Sequence, residues 1–170
     1  TVIDHARRLG ITSELPPYPS LALGVADIPL QEMVRPFITF ANNGNLRPIY
    51  YLEEIKDRQG NLIFKAQPEI PRQVLPENEA HLMSNMLSAV QRLRSVYGLH
   101  NEMAGKTGTT QNQVDGWFIG YNPQIVVGIR VGANDVNIHF NTIRLGQGAN
   151  MAMPIFGRFM KDCLESPNYQ

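Results

Sequence analysis

The stretch that decides the fold is Met103-Ala104-Gly105-Lys106-Thr107-Gly108-Thr109-Thr110, which is followed after five residues by Gly116-Trp117-Phe118-Ile119-Gly120-Tyr121. The aromatic second segment is typical of a β-strand, and the first segment continues the strand pattern. Within the first segment, a lysine offers a positive charge, two threonines offer hydroxyl donors, and a glycine leaves the backbone open to a close approach. A strand with these groups is suited to bind a peptide that ends in a carboxylate.

Together these residues resemble the transpeptidase domain of class A penicillin-binding proteins. Lys106-Thr107-Gly108 is similar to the third of three motifs found in active-site-serine enzymes that bind penicillin. Other segments resemble the same family in the matching order, namely Pro19–Gly24, Leu30–Met33, Phe40–Gly44, Asp115, Pro123, Met153–Phe156 and Phe159-Met160. The resemblance covers nearly the whole chain.

The resemblance implies a function and assigns roles to residues. It implies a peptidoglycan D,D-transpeptidase that cross-links stem peptides through a serine acyl-enzyme and is acylated by β-lactams. Lys106 would be catalytic, and Thr107, Gly108, Thr109 and Thr110 would bind substrate. The backbone N–H of Thr109 would form half of the oxyanion hole. No cofactor is expected.

Two motifs of the family are missing. The residues three positions before the four lysines (Lys56, Lys65, Lys106 and Lys161) are Glu53, Leu62, Met103 and Arg158, so no Ser-x-x-Lys motif supplies a nucleophile. Ser-x-Asn occurs only as Ser166-Pro167-Asn168, after the Lys-Thr-Gly motif and in the wrong order. We therefore expect the C-terminal part of a transpeptidase domain, which is inactive alone.

Further expectations follow from the resemblance. The partners would be the remainder of the transpeptidase domain and an upstream glycosyltransferase domain. The parent would lie at the extracytoplasmic face of the cytoplasmic membrane, anchored by a segment outside this chain.

Other interpretations of the same residues remain open. A non-catalytic relative could use the penicillin-binding-like fold to bind a peptide or a partner protein. Gly105-Lys106-Thr107 resembles the end of a phosphate-binding loop, but that loop needs a glycine at position 100, where the chain has His100. Gly146-Gln147-Gly148 resembles part of a dinucleotide motif but lacks the third glycine, and it is more typical of a turn.

Composition narrows the function classes. The 170 residues fit one domain, and 15 basic and 15 acidic residues give no net charge, which argues against nucleic-acid binding. The single Cys163 excludes an internal disulfide. The four histidines (His5, His81, His100 and His139) are scattered, so no metal site is predicted.

The order of elements predicts an α+β domain, with helices packed on an antiparallel sheet as in the penicillin-binding and β-lactamase-like transpeptidase fold. We expect a helical segment over 1–46, a hairpin over 47–66, one helix over 76–97, sheet strands over 103–131, and a closing helix over 149–164. The helix over 76–97 would bury an apolar stripe, formed by Ala80, Met83, Met86, Leu87, Val90 and Leu93. Ile125–Ile129 would be a strand covered on both faces.

Overall fold

The computed structural model describes residues 1–67, 70–88, 90–99, 103–135 and 137–167. Within these ranges the helices are α1 (Val2–Arg8), α2 (Leu30–Ala41), α3 (Glu77–Leu87), α4 (Gln91–Tyr97), α5 (Ile143–Gly146) and α6 (Gly148–Glu165). The strands are β1 (Asn45–Leu46), β2 (Glu54–Lys56), β3 (Leu62–Lys65), β4 (Arg72–Gln73), β5 (Ala104–Thr109), β6 (Asp115–Tyr121) and β7 (Val126–Gly132). Every helix in the described ranges is too short or too polar to span a bilayer.

The last three strands form the central sheet, an antiparallel meander in the order β5-β6-β7. The sequence predicts strands over 103–110, 114–121 and 125–131, and each observed bound lies within one residue of these. Asn122 closes the turn between β6 and β7, because its Oδ1 accepts hydrogen bonds from the amides of Gln124 at 2.9 Å and Ile125 at 2.8 Å. Among the residues that the structure describes, the sheet therefore has two edges, one on β5 and one on β7.

Helices cover both faces of this sheet. On one face α6 packs against Phe118, whose ring lies edge-on to Phe156 with centroids 4.9 Å apart. A side chain on Gly120 would come within 2.6 Å of the Phe156 ring, so this glycine lets the helix pack close to the strand. On the other face α2 and α3 cover a second cluster that includes Phe40 and Tyr121. This arrangement confirms the predicted α+β class.

The prediction of one helix over 76–97 is wrong. The helix α3 ends at Leu87, and Val90 has φ −85° and ψ 67°, outside the helical region, before α4 begins. The residues of α3 pack with the Phe40 cluster, whereas Leu93 of α4 is fully buried in the cluster around Phe118. A straight helix could not reach both faces of the sheet, and the break lets the chain cross between them.

The predicted apolar stripe fails at Met86, which is 67% exposed. Met86 lies within α3, about 120° around the helix from Ala80, whereas Met83 and Leu87 of the same helix pack against the Phe40 cluster. Ala80 and Leu93 are fully buried, but in different helices.

The predicted hairpin over 47–66 is shorter than expected. Only β2 and β3 are paired, and all seven of their residues are exposed. The Asp57 carboxylate accepts hydrogen bonds from the amides of Gln59 and Asn61 and closes the turn. The pairing of β1 with β4 was not predicted, because ladders of two residues carry no hydrophobic pattern.

The helix α2 is tied to the N-terminal segment by the carboxylate of Glu32. Its two oxygens accept hydrogen bonds from the amides of Thr12 and Ser13, both at 2.9 Å, and from the Thr12 hydroxyl at 2.5 Å. Glu32 is only 9% exposed. Burial acts to raise the pKa of Glu32, but these hydrogen bonds outweigh it and lower the pKa to about 2.

The sequence Asn42-Asn43-Gly44 predicts a left-handed cap at the end of α2, and the structure has one. Asn43 has φ 52° and Gly44 has φ 85°. A side chain on Gly44 would lie 2.2 Å from the Leu75 carbonyl oxygen, so the turn also requires a close backbone approach. The sequence predicts that this helix begins at Pro29, a favoured first position, but in the structure Pro29 is the N-cap and the helix begins one residue later, at Leu30.

Candidate active site

The candidate site lies along the side of β5 that is not paired with β6, called here the free edge of β5. In an antiparallel ladder, directly opposed residues alternate between pairs that exchange hydrogen bonds and pairs that do not. The amide of Thr110 donates to the Asp115 carbonyl at 3.1 Å, so this pair is a bonded one. Because bonded pairs recur at every second residue, Gly108 is also bonded to β6, whereas Thr109 and Thr107 are not. The N–H and C=O groups of Thr109 and Thr107 therefore face away from β6 and toward the free edge.

The other ladder of the sheet gives the same assignment. The amide of Asn122 donates to the Ile125 carbonyl at 3.0 Å, so the β6–β7 pairs are bonded at this position and at every second residue before it. Each residue of a central strand directs its backbone groups to one neighbour only. Asp115 and Trp117 therefore bond toward β5, in agreement with the Thr110 contact.

The Lys106 side chain brings a positive charge to the free edge. Lys106 is exposed, and its Nζ donates to the Thr107 carbonyl oxygen at 2.9 Å. That carbonyl faces the free edge, so the ammonium group lies there too. Strand alternation places the side chains of Lys106 and Thr107 on opposite faces of the sheet. The long lysine side chain removes this separation by reaching around the strand.

The Thr109 side chain lies on the face covered by α6. Its Oγ1 accepts a hydrogen bond at 3.1 Å from the amide of Gly148, the first residue of α6. The sequence predicts Gly146-Gln147-Gly148 as a turn, and the family resemblance places it near the start of the closing helix. Thr109 and Gly148 are 39 positions apart in the sequence, so no local pattern indicates their contact.

The end of β5 is held by Asp115. The Asp115 amide donates to Thr110 Oγ1 at 2.8 Å, in addition to the backbone bond between the two residues. The Asp115 side chain is 14% exposed and makes an ion pair with Arg130, with Oδ1 and Nη2 2.6 Å apart. This contact is short but is not aligned as a hydrogen bond, because Oδ1 has no partner that meets hydrogen-bond geometry. The contacts of Asp115 with Thr110 and Arg130 therefore hold the C-terminal end of β5 in place.

The ion pair needs a glycine on the neighbouring strand. A Cβ on Gly132 would lie 1.9 Å from Asp115 Oδ1, so any side chain there would displace the carboxylate. Sequence reasoning left the role of Asp115 open between a site residue and a strand-end carboxylate. The structure places it next to Thr110 and pairs it with Arg130, which was not predicted.

Gly108 lies between the two threonines, but it faces differently. Its backbone groups bond toward β6, because it alternates with Thr107 and Thr109 in the ladder. A Cβ on Gly108 would come within 3.2 Å of the Trp117 Cβ. Glycine therefore avoids a steric clash with Trp117, and no side chain at this position covers the strand beside Lys106.

The described residues supply donors and charge, but not a complete catalytic set. In residues 1–67, 70–88, 90–99, 103–135 and 137–167, no group of three His, Cys, Asp or Glu side chains is placed to hold a metal ion. His100 and Asn168 of the sequence predictions lie outside these ranges. The free edge of β5 thus presents a cation, threonine hydroxyls and outward backbone N–H groups, which are the groups that bind an anion such as a carboxylate.

A separate cleft of about 310 Å³ opens near the other end of β5. Its lining includes His81, Ser84, Arg94 and Tyr121. Ser84 Oγ and Tyr121 OH are 3.0 Å apart, within hydrogen-bond distance. Neither Lys106 nor the threonines of the free edge contribute to this cleft, so it is distinct from the candidate site.

Comparison with known sequences gives a family. The sequence profile of the penicillin binding protein transpeptidase domain matches residues 18–161. The chain is 30% identical over 171 residues to penicillin-binding protein 1A of Neisseria meningitidis serogroup B, covering 95% of the chain and 21% of that protein. It is 32% identical over 163 residues to penicillin-binding protein 1A of Aquifex aeolicus, covering 94% of the chain and 22% of that protein. The chain thus spans about a fifth of the length of these relatives.

Comparison with solved structures gives the fold. Penicillin-binding protein PonA1 from Mycobacterium tuberculosis superposes with a TM-score of 0.81 at 22% identity, covering 97% of this chain and 50% of that one. Penicillin-binding protein 1A from Haemophilus influenzae gives a TM-score of 0.80 at 24% identity, covering 95% of this chain and 30% of that one. The likeness extends over the central sheet and the helices on both of its faces.

Proposed function

Because the chain belongs to the family of penicillin binding protein transpeptidase domains, we propose that it forms the substrate-gripping side of the active site of a peptidoglycan D,D-transpeptidase. The observation that carries this proposal is the free edge of β5. There the Lys106 ammonium lies beside the outward backbone groups of Thr107 and Thr109, and the Thr109 hydroxyl lies on the adjoining, α6-covered face of the same strand.

The free edge supports a binding mode by strand addition. A stem peptide lying along β5 would pair with the outward N–H and C=O groups of Thr107 and Thr109. The Lys106 charge and the threonine hydroxyls would then hold the peptide's terminal carboxylate by charge-assisted hydrogen bonds. A β-lactam with a carboxylate would use the same groups.

The reaction would begin when a serine oxygen attacks the carbonyl carbon of the scissile amide. Negative charge then develops on the carbonyl oxygen, and the outward N–H of Thr109 would supply half of its oxyanion hole. One donor of this kind lowers the barrier by about 3 kcal/mol in comparable hydrolases. Collapse of the intermediate would expel the leaving amine and leave a serine ester, which the amine of a second stem peptide would resolve.

The nucleophile in this proposal belongs to the part of the transpeptidase domain outside the chain. The sequence holds no Ser-x-x-Lys motif, and the chain spans about a fifth of its relatives. The whole protein would also carry an upstream glycosyltransferase domain and a membrane anchor, with the transpeptidase on the extracytoplasmic side. If the upstream gene sequence lacks Ser-x-x-Lys and Ser-x-Asn, the protein is instead a non-catalytic relative that binds peptides or a partner protein.

The first prediction tests whether the nucleophile lies in the remainder of the transpeptidase domain and not in this chain. The 170-residue chain alone should form no covalent adduct with a fluorescent penicillin, because an activated serine is required for acylation. The intact protein, with its upstream Ser-x-x-Lys motif, should form one adduct per chain. Intact-mass spectrometry measures both. A stoichiometric adduct on the isolated chain would contradict the proposal, as would an unlabelled intact protein that carries both motifs.

The second prediction concerns the Thr109 hydroxyl. Thr109→Val in the intact protein should slow acylation by penicillin by about tenfold, because one hydrogen bond to a charged group is lost. The valine keeps the strand shape and the backbone N–H. Thr109→Ser should restore most of the rate, since it restores the hydroxyl. The second-order acylation rate constant is the measurement, and equal rates for the valine variant and the unaltered protein would remove Thr109 from the site.

A further inference from the structure

The contact between α6 and β5 has a role that the Lys-Thr-Gly motif does not describe. We infer that the backbone amide of Gly148 orients the Thr109 hydroxyl toward the substrate carboxylate, which makes Gly148 a positioning residue for carboxylate recognition. This inference rests on the proposed function, in which Thr109 binds that carboxylate. It gives the Gly146-Gln147-Gly148 segment a purpose beyond making a turn.

The direction of the hydrogen bond decides what the hydroxyl can do. The Gly148 amide is a donor, so Thr109 Oγ1 is the acceptor in the 3.1 Å contact. A hydroxyl has one hydrogen and two lone pairs. When the amide occupies a lone pair, the hydroxyl hydrogen points elsewhere and remains available for a second partner. Thr109 itself is exposed, so that partner can be a ligand carboxylate.

Position 148 requires glycine because there is no room for a side chain, and not because of an unusual backbone conformation. Gly148 is the first residue of a helix of 18 residues, and it is not among the glycines with a positive φ. An added Cβ would lie 2.2 Å from the Trp117 carbonyl oxygen and 2.5 Å from the Gly108 carbonyl oxygen. The helix end therefore rests directly on the β5–β6 ladder, and only glycine permits this.

The opposing strand is shaped for the same approach. Gly116 lies on the face of β6 that α6 covers, and a Cβ there would lie 3.2 Å from the Gly148 Cα. It is also the residue directly opposite Thr109 in the ladder. Two glycines on two elements thus bring the Gly148 amide within reach of Thr109.

A positioning role predicts an effect that depends on the ligand's charge. Gly148→Ala would move the amide away from Thr109 and so disturb a group that recognises a carboxylate. In the intact protein it should slow acylation by benzylpenicillin by about tenfold, the cost of one charge-assisted hydrogen bond. Acylation by benzylpenicillin methyl ester, which has no carboxylate, should change less than about twofold. A general packing defect would slow both ligands equally and would overturn the inference.

A double-mutant cycle tests whether Gly148 acts through Thr109. When Thr109 is already valine, Gly148→Ala should slow acylation by benzylpenicillin by less than about a further twofold, because the hydroxyl that the Gly148 amide orients is absent. Independent effects that multiply would overturn the inference while leaving the proposed function in place. No effect of Thr109→Val by itself would overturn both, so the two failures are distinguishable.

Two further variants guard against a folding defect. Gly157 lies on α6 like Gly148 but away from Thr109, and Gly157→Ala places a Cβ 2.6 Å from the ring of Tyr97 on α4. It is therefore a matched packing control that should affect the two ligands equally. If Gly148→Ala does not fold, glycolic acid introduced at position 148 by suppression with an acylated tRNA removes the N–H and adds no atom. Acylation of that ester variant by benzylpenicillin should also slow by about tenfold, whereas its acylation by the methyl ester should not change. An unchanged rate with benzylpenicillin would overturn the inference.

Discussion

Replacement of Lys106 by alanine in the intact protein is expected to slow acylation by penicillin by about a hundredfold or more, or about 3 kcal/mol, the cost of losing one preorganised electrostatic group. The reason is the position of its ammonium, which lies at the free edge of β5 against the Thr107 carbonyl. No other lysine lies in the three-stranded sheet. The measurement is the second-order rate constant for labelling by a fluorescent penicillin.

Lysine variants elsewhere and a stability measurement separate a site role from a structural one. Lys65→Ala removes an exposed lysine from the β2–β3 hairpin, and it should leave acylation unchanged. The melting temperature of Lys106→Ala should match that of the unaltered protein, since Lys106 is exposed. A normal acylation rate would show that Lys106 is not part of the site. An unfolded variant would show that the lysine is structural.

The strands of the sheet were predictable because their signals are local. The segment from Gly116 to Tyr121 is rich in aromatic and β-branched residues, and Asn122-Pro123 marks a turn. The run Ile125–Ile129 predicted a strand covered on both faces. The structure agrees, because α2 packs against Gly128 and the alternate residues Val127 and Ile129 join the cluster around Phe118.

The errors arose where tertiary structure overrides a local pattern. The apolar spacing continues from Ala80 to Leu93, with no proline and no glycine in between to mark an end. The helix nevertheless breaks, because its two halves bury apolar residues on opposite faces of the sheet. Only the packing of the sheet between them reveals this requirement.

The candidate site also has features that the sequence predicts and features that only the fold reveals. Lys106 and Thr109 could be named from their motif, since a cation and hydroxyls on a strand suggest carboxylate binding. The geometry that unites them could not, because it depends on which backbone groups face the free edge and thus on the ladder register. The Gly148 amide and Arg130 were also missed, since a backbone donor has no sequence signature and an ion pair between strands depends on their pairing.

The last prediction concerns Glu32, whose carboxylate holds Thr12 and Ser13 against α2. Glu32→Gln in the intact protein should lower the free energy of unfolding of this region by about 3 kcal/mol at neutral pH. The charged carboxylate accepts all three hydrogen bonds, whereas a neutral glutamine would accept the two amide hydrogen bonds more weakly through its one oxygen and donate to the Thr12 hydroxyl. Denaturant unfolding measures the loss. Glu14→Gln, an exposed change in the same segment, should have little effect.

The pH dependence of the same variant identifies the charge as the cause. Hydrogen bonds lower the pKa of folded Glu32 to about 2, below its value of about 4.3 in an unfolded chain. A lowered pKa means that the stabilisation is present above the unfolded value and is lost as the pH falls through the folded one. The difference between Glu32→Gln and the unaltered protein should therefore shrink between about pH 4 and pH 2. A difference that stays constant across this range would mean that shape, and not the carboxylate charge, joins the N-terminal segment to α2.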